Sequence, residues 1–73
     1  MRVIVAEHAL KRLREARQEG ITLNDITAAA ESIPGTVASA TRFRGFIACS
    51  GRKFDIVVRD ISGGRLVITV IGK

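Results

Sequence analysis

Apolar and polar residues alternate along the C-terminal half of this sequence. Between residues 42 and 73, three apolar runs are separated by Ser50-Gly51-Arg52 and by Ser62-Gly63-Gly64, which are combinations typical of tight turns. The alternation has a period of two, which places successive side chains on opposite faces of a strand. The pattern therefore predicts a three-stranded antiparallel meander.

The same alternation assigns the strand residues to two faces of the predicted sheet. The apolar face consists of Phe54, Ile56, Val58, Leu66, Ile68 and Val70. The mixed face combines three apolar residues with four polar ones, namely Val57, Val67, Ile71, Arg59, Arg65, Thr69 and Lys73. We expect helices to cover the apolar face and any function of the sheet to lie on the mixed face.

A helical period is present from about residue 6 to residue 19. Apolar side chains there recur every three or four positions, as they do in an amphipathic helix. Gly20 follows this segment, and glycine readily takes the left-handed conformation that ends many helices. The segment predicts a first helix that ends at Gly20.

A second helix is indicated between residues 22 and 34. Thr22 can cap its N-terminus and Asp25 suits the first turn, while Pro34-Gly35 should end it because proline disfavours helical geometry in the preceding residue. The predicted buried stripe of this helix is Leu23, Ile26, Thr27, Ala30 and Ile33.

These elements predict an α+β fold in one domain over residues 1–73. Val3–Val5 is too short to be more than an edge strand or a lead-in to the first helix. The predicted order is (β)ααβββ, with a helical hairpin packed on a three- to four-stranded antiparallel sheet.

Charge and cysteine content narrow the classes of partner. Twelve Lys and Arg against seven Asp and Glu give a net charge of +5, and basic surfaces bind nucleic acid, acidic proteins or anionic membranes. Alternatively, the positive charge serves only to keep the protein soluble.

The cellular compartment is indicated by the cysteine content and by the apolar runs. Cys49 is the single cysteine, which fits a reducing compartment. No apolar run reaches the length of a membrane span or resembles a signal peptide, so we expect a cytoplasmic protein.

His8 is the candidate for acid–base chemistry because it is the only histidine. A neutral imidazole beside Arg12 could act as a general base, although an isolated histidine is more often an exposed or packing residue. One His and one Cys give none of the paired spacings of a zinc site. We therefore predict no metal and no cofactor.

The mixed face of the sheet is the candidate nucleic-acid surface. Arg42 and Arg44 flank Phe43, and the alternation puts them on one face with Phe46. Together with Arg59, Arg65 and Lys73 these residues would form a cationic platform with one aromatic ring. Guanidinium groups bind phosphates and an aromatic ring stacks on unpaired bases. Alternatively, strand-end arginines only protect a sheet edge.

Three apolar residues on the mixed face support a different function. Val57, Val67 and Ile71 would need cover from another part of the chain or from a partner. The second hypothesis is therefore a non-catalytic module that binds an acidic protein or forms a homodimer.

Several short motifs resemble the short bacterial domain of unknown function numbered 4258. They extend over nearly the whole chain, as His8-Ala9, Arg12-Leu13, Arg17, Gly20-Ile21-Thr22, Gly51-Arg52 and Leu66-Val67-Ile68-Thr69-Val70. That family is similar in layout to the RelE and BrnT toxins, which are ribonucleases with two helices on an antiparallel sheet and which usually act with an antitoxin.

The resemblance implies a RelE-like fold and an RNA-directed function. It implies either a metal-independent endoribonuclease of a toxin–antitoxin system or a degenerate RNA binder, with RNA or the ribosome as target and an acidic antitoxin as partner. His8, Arg12 and Arg52 occupy positions of the family's motifs, and we therefore predict that they are the catalytic residues.

Overall fold

The computed structural model describes residues 1–73 as two helices on one side of a four-stranded sheet. The strands are β1 (Val3–Val5), β2 (Thr41–Ile47), β3 (Lys53–Ile61) and β4 (Gly64–Gly72), and the helices are α1 (Glu7–Leu13) and α2 (Leu23–Ser32). The α+β class and the order of elements are as predicted. Neither helix has the length and apolar character that a membrane span requires.

The sheet has the strand order β1-β4-β3-β2 and is mixed. Strands β2, β3 and β4 form the predicted antiparallel meander, whereas β1 pairs with β4 in parallel. The expectation of a wholly antiparallel sheet was therefore wrong for β1. The meander ends with β4 beside the N-terminal strand, so β1 is an edge strand next to the last strand of the chain.

Helix α1 is shorter than predicted. It ends at Leu13, and a single 3₁₀ turn, Ala16–Gln18, follows after an extended residue at Glu15. This turn lies beside β4, where the buried Gln18 side chain accepts a hydrogen bond of 2.8 Å from the Gly72 N–H. Gly20 has the predicted positive φ of 87°, but it follows the 3₁₀ turn rather than an α-helix.

Helix α2 begins and ends where the sequence predicted. Thr22 and Asp25 form a capping box, in which each side chain bonds the backbone N–H of the other residue. Asp25 also accepts a hydrogen bond from the Cys49 N–H, which fixes α2 to the loop before β3. The predicted stripe is correct for Ile26, Ala30 and Ile33, but Leu23 is exposed.

A bulge in β4 reverses the predicted assignment of faces in that strand. Val57 pairs with Thr69 and Val58 with Val67, so Ile68 is an extra residue. Beyond it, the helix side of β4 carries Val67 and Arg65, both fully buried. The predictions that Leu66 and Ile68 belong to the core face, and Val67 and Arg65 to the mixed face, were therefore wrong.

A second bulge, in β2, changes the orientation of Phe46. Phe43 pairs with Ile56 and Phe46 with Phe54, so Arg44 and Gly45 together lie opposite Asp55. Both Phe43 and Phe46 consequently pack against the core, and the Phe46 and Phe54 rings are 5.7 Å apart. Phe46 was predicted to share a face with the arginines, and the bulge places it on the opposite face.

Arg65 lies inside the molecule and its side chain bonds the C-terminal end of α2. Its guanidinium donates to the carbonyl oxygens of Ala30, Ile33 and Gly35 at 2.7 to 2.8 Å, and it pairs with Asp60 at 2.6 Å. These bonds satisfy carbonyl groups in the last turn of α2, at its C-cap residue Ile33 and just beyond it. Arg65 is 0% exposed, so the prediction that it contributes to a nucleic-acid surface was wrong.

Candidate nucleic-acid interface

The face of the sheet away from the two helices, here called the open face, has no covering layer. At one end of this face lie four basic residues and one carboxylate, which two of the four contact. We call this group the basic corner, and it consists of Arg42, Arg44, Lys53, Lys73 and Asp55. Arg42 and Lys73 contact the Asp55 Oδ2 atom at 2.7 and 3.3 Å, which shows that side chains from β2, β3 and the end of β4 converge there.

Asp55 organises the basic corner although it is only 1% exposed. Its second oxygen accepts a hydrogen bond of 3.1 Å from the Gly45 N–H, at the bulge in β2. Burial alone would raise the pKa of Asp55, but the hydrogen bonds from Arg42 and Gly45 and the nearby Lys73 lower it below its ordinary value. The carboxylate is therefore ionised at neutral pH and holds the two cations in place.

The basic corner has an excess of positive charge. Four cations and one carboxylate leave three positive charges uncompensated. Lys73 donates its backbone N–H to the Lys53 carbonyl oxygen at 2.9 Å, so two lysines occupy neighbouring positions of adjacent strands on one face. Like charges in cross-strand positions are destabilising, and a bound anion would relieve this repulsion.

Arg44 and Lys53 are exposed and form no salt bridge. The alternation from Phe43 directs Arg44 to the open face, and the alternation from Phe54 does the same for Lys53. Arg59 lies further along β3 on this face, also exposed and unpaired. Lys53 was not predicted as a binding residue, although counting back by two from Asp55 would have placed it on this face.

Arg52 does not belong to the open face, and its guanidinium group is occupied by backbone contacts. Its Nε donates to the Lys73 carbonyl oxygen at 2.7 Å, and its terminal nitrogens donate to the carbonyl oxygens of Glu19 and Arg17. Arg52 therefore ties the end of β4 to the 3₁₀ turn. Arg52 was predicted to be catalytic, but these contacts give it a structural role.

Arg12 and His8 lie in the helix layer. Arg12 donates its Nε–H to the Val70 carbonyl oxygen at 2.8 Å, and His8 is exposed without a hydrogen-bond partner. Because Ala9 belongs to the core between the helices and the sheet, α1 packs on the side opposite the basic corner. The structure therefore does not bring His8 and Arg12 together with Arg42, Arg44 and Lys73.

The rest of the open face is apolar rather than aromatic. All three phenylalanines lie on the helix side of the sheet. Half-buried aliphatic side chains occupy the open face beside the basic corner, namely Ile4, Val57, Ile61, Leu66 and Ile71. No pocket is found on the surface, so the candidate site is a flat face with a cationic end and, beyond it, aliphatic side chains beside Arg59 and Thr69.

Comparison with known proteins does not identify the chain. No family model matches it, and the searches of curated proteins and of solved structures find no match. The geometry of the open face is therefore the basis for assigning a function.

Proposed function

We propose that this protein is a small RNA-binding domain of the toxin-like type and that its basic corner holds backbone phosphates. The observation that carries the proposal is that four basic residues from β2, β3 and the end of β4 lie at one end of a flat, uncovered face, where two of them meet at Asp55. Arginine binds phosphate oxygens in a bidentate manner and lysine acts as a point charge.

The arrangement of the corner suits a phosphate chain better than a single small anion. Arg42 and Lys73 are held by Asp55, while Arg44 and Lys53 extend to solvent without a protein partner. Arg59 continues the positive charge along the same strand. A polyanion that follows β3 would meet these cations in succession and release its counterions.

We propose that the basic corner binds RNA, and we do not propose that it cleaves RNA, because the residues predicted to be catalytic do not lie there. Metal-independent cleavage needs a base for the 2′-hydroxyl and an acid for the leaving oxygen next to the phosphate. His8 lies on α1, on the other side of the sheet, and the guanidinium of Arg52 is bonded to carbonyl groups. The basic corner supplies cations, and its one carboxylate, Asp55, is 1% exposed and paired with Arg42 and Lys73.

The experiment compares variants of the basic corner with matched variants of the helix layer. Arg44→Ala and Lys53→Ala remove exposed cations that have no protein partner. We expect each to weaken binding of a short single-stranded RNA severalfold and to reduce the slope of log K against log salt by about 0.7 to 1, since each removes about one phosphate contact. Fluorescence anisotropy at several salt concentrations measures both quantities.

Lys11→Ala and Arg14→Ala are the matched controls. Both residues are exposed cations of the helix layer without a salt bridge, so each control makes the same change in net charge. Equal losses of affinity in all four variants would show that RNA responds to net charge alone, and the proposal would fail.

The second hypothesis, a protein-interaction module, is favoured by the aliphatic part of the open face. Of its three predicted residues, Val57 and Ile71 do lie there half-buried, whereas Val67 is fully buried on the helix side. This function would replace the first if RNA fails to bind and the protein self-associates through Ile71.

A further inference from the structure

The two edges of the sheet differ in how many of their backbone groups are bonded by other parts of the chain. β1 covers β4 only as far as Val67. Beyond that point the side chains of Arg12 and Gln18 bond the Val70 carbonyl oxygen and the Gly72 N–H, each at 2.8 Å. The backbone of β4 is thus covered almost to its end.

The outer edge of β2 receives no such cover. β2 pairs with β3 on one side only, over seven residues, and the Gly45 N–H is bonded by Asp55 from within the sheet. No side chain of the protein bonds to the outer side of this strand. Alternate backbone N–H and C=O groups of an edge strand are available to another extended chain.

We propose that the outer edge of β2 is a docking site for an extended acidic segment of a partner protein, which adds a fifth strand to the sheet. Strand addition of this kind derives its affinity from backbone hydrogen bonds and its specificity from alternate side chains. The bulge at Gly45 interrupts the alternation of β2, so the added strand pairs regularly with residues 41–44 and less regularly with the last three residues of β2.

The side chains of β2 define the chemistry of the partner. Arg42 and Arg44 lie on the open face and belong to the basic corner, which has three uncompensated positive charges. Phe43 and Phe46 lie on the other face and are only partly buried. A complementary segment therefore alternates acidic residues, which face the arginines, with apolar residues, which extend the cover of the two rings.

A second copy of this chain is a poor occupant of the same edge. Pairing two β2 strands would place the Arg42 and Arg44 side chains of one copy among those of the other, and like charges in cross-strand positions are destabilising. Docking of a partner strand on β2 does not require RNA binding at the basic corner.

The probe is a blocked seven-residue peptide of alternating Glu and Val, which has the length of β2. Titration into ¹⁵N-labelled protein should shift the amide signals of β2 and leave those of α1 and α2 unchanged. The same peptide with N-methyl groups on alternate amides should bind at least about tenfold more weakly, since it cannot pair with the strand. Arg44→Ala should weaken binding severalfold and the control Arg14→Ala should not.

Three results would overturn the proposal. Equal binding of the methylated peptide would mean that charge alone attracts it. Shifts located outside β2, or no binding at millimolar peptide, would show that the edge is not a docking site. A homodimer with protected β2 amides in the absence of peptide would mean that a second copy occupies the edge.

Discussion

Arg65 is completely buried, although arginine is among the residues that are least often found in protein interiors. It is tolerated there because five hydrogen bonds satisfy its guanidinium, two to Asp60 and three to backbone carbonyls. The hydrogen bond from Arg65 lowers the pKa of Asp60, and the Val37 N–H acts in the same direction. The pair therefore stabilises the fold above the ordinary aspartate pKa of 3.8, and this contribution is lost as the pH falls.

Arg65→Ala should be among the most destabilising substitutions in the protein. It would leave Asp60 with the Val37 N–H alone and would remove the Arg65 hydrogen bonds from three carbonyl groups at and after the end of α2, and each buried acceptor left unsatisfied costs about 1 to 3 kcal/mol. Urea unfolding at neutral pH measures the loss.

The matched control for Arg65→Ala is Arg59→Ala, in which the same residue type is removed from the same sheet. Arg59 is exposed and unpaired, so its substitution should change the free energy of unfolding by less than about 0.5 kcal/mol. Similar losses in both variants would contradict the structural role of Arg65.

Two bulges explain which parts of the sheet the sequence could predict. In β3, which is regular, the alternation correctly predicted that Phe54, Ile56 and Val58 are buried. In β4 and β2 an extra residue reverses the alternation, so Arg65 and Phe46 were placed on the wrong face. A bulge changes the pairing by one residue without a clear local signal in β4, where Ile68 is as apolar as its neighbours. In β2 the glycine at position 45 was the one indication of a bulge in the sequence, and in the structure it has a φ of 84°.

In the helices, too, one feature was predicted correctly and another was not. The capping box at Thr22 depends on neighbours in sequence and was predicted correctly. The early end of α1 depends on contacts with a distant strand, since Arg12 and Gln18 bond β4 over separations of more than fifty residues. Amphipathic spacing contains no information about such contacts.

Gln18→Ala tests whether the 3₁₀ turn protects the edge of β4. The substitution leaves the Gly72 N–H without its partner, which should cost about 1 to 3 kcal/mol. Hydrogen exchange should then become faster at Gly72 and its neighbours, while β2 is unaffected. Asn24→Ala, which removes an exposed amide from α2, is the control and should leave exchange in β4 unchanged.

At the scale of the whole molecule, the two sides of the sheet have different roles. One side holds the core, the three phenylalanines and the buried Arg65–Asp60 pair. The other is uncovered and carries the basic corner. The sequence predicted a basic, mixed face, and Arg42, Arg44, Arg59 and Lys73 do lie on it. It could not predict that Asp55 would draw Arg42 and Lys73 together, because these residues are far apart in sequence.

The most direct test of the central claim is an NMR titration of the protein with a short single-stranded RNA, following both backbone amides and the arginine Nε–H and lysine side-chain signals. We expect shifts at Arg42, Arg44, Lys53 and Lys73 and in the amides around them, with little change in α1. Shifts centred on Lys11 and Arg14 in the helix layer, or none at saturating RNA and low salt, would contradict an RNA-binding role for the open face.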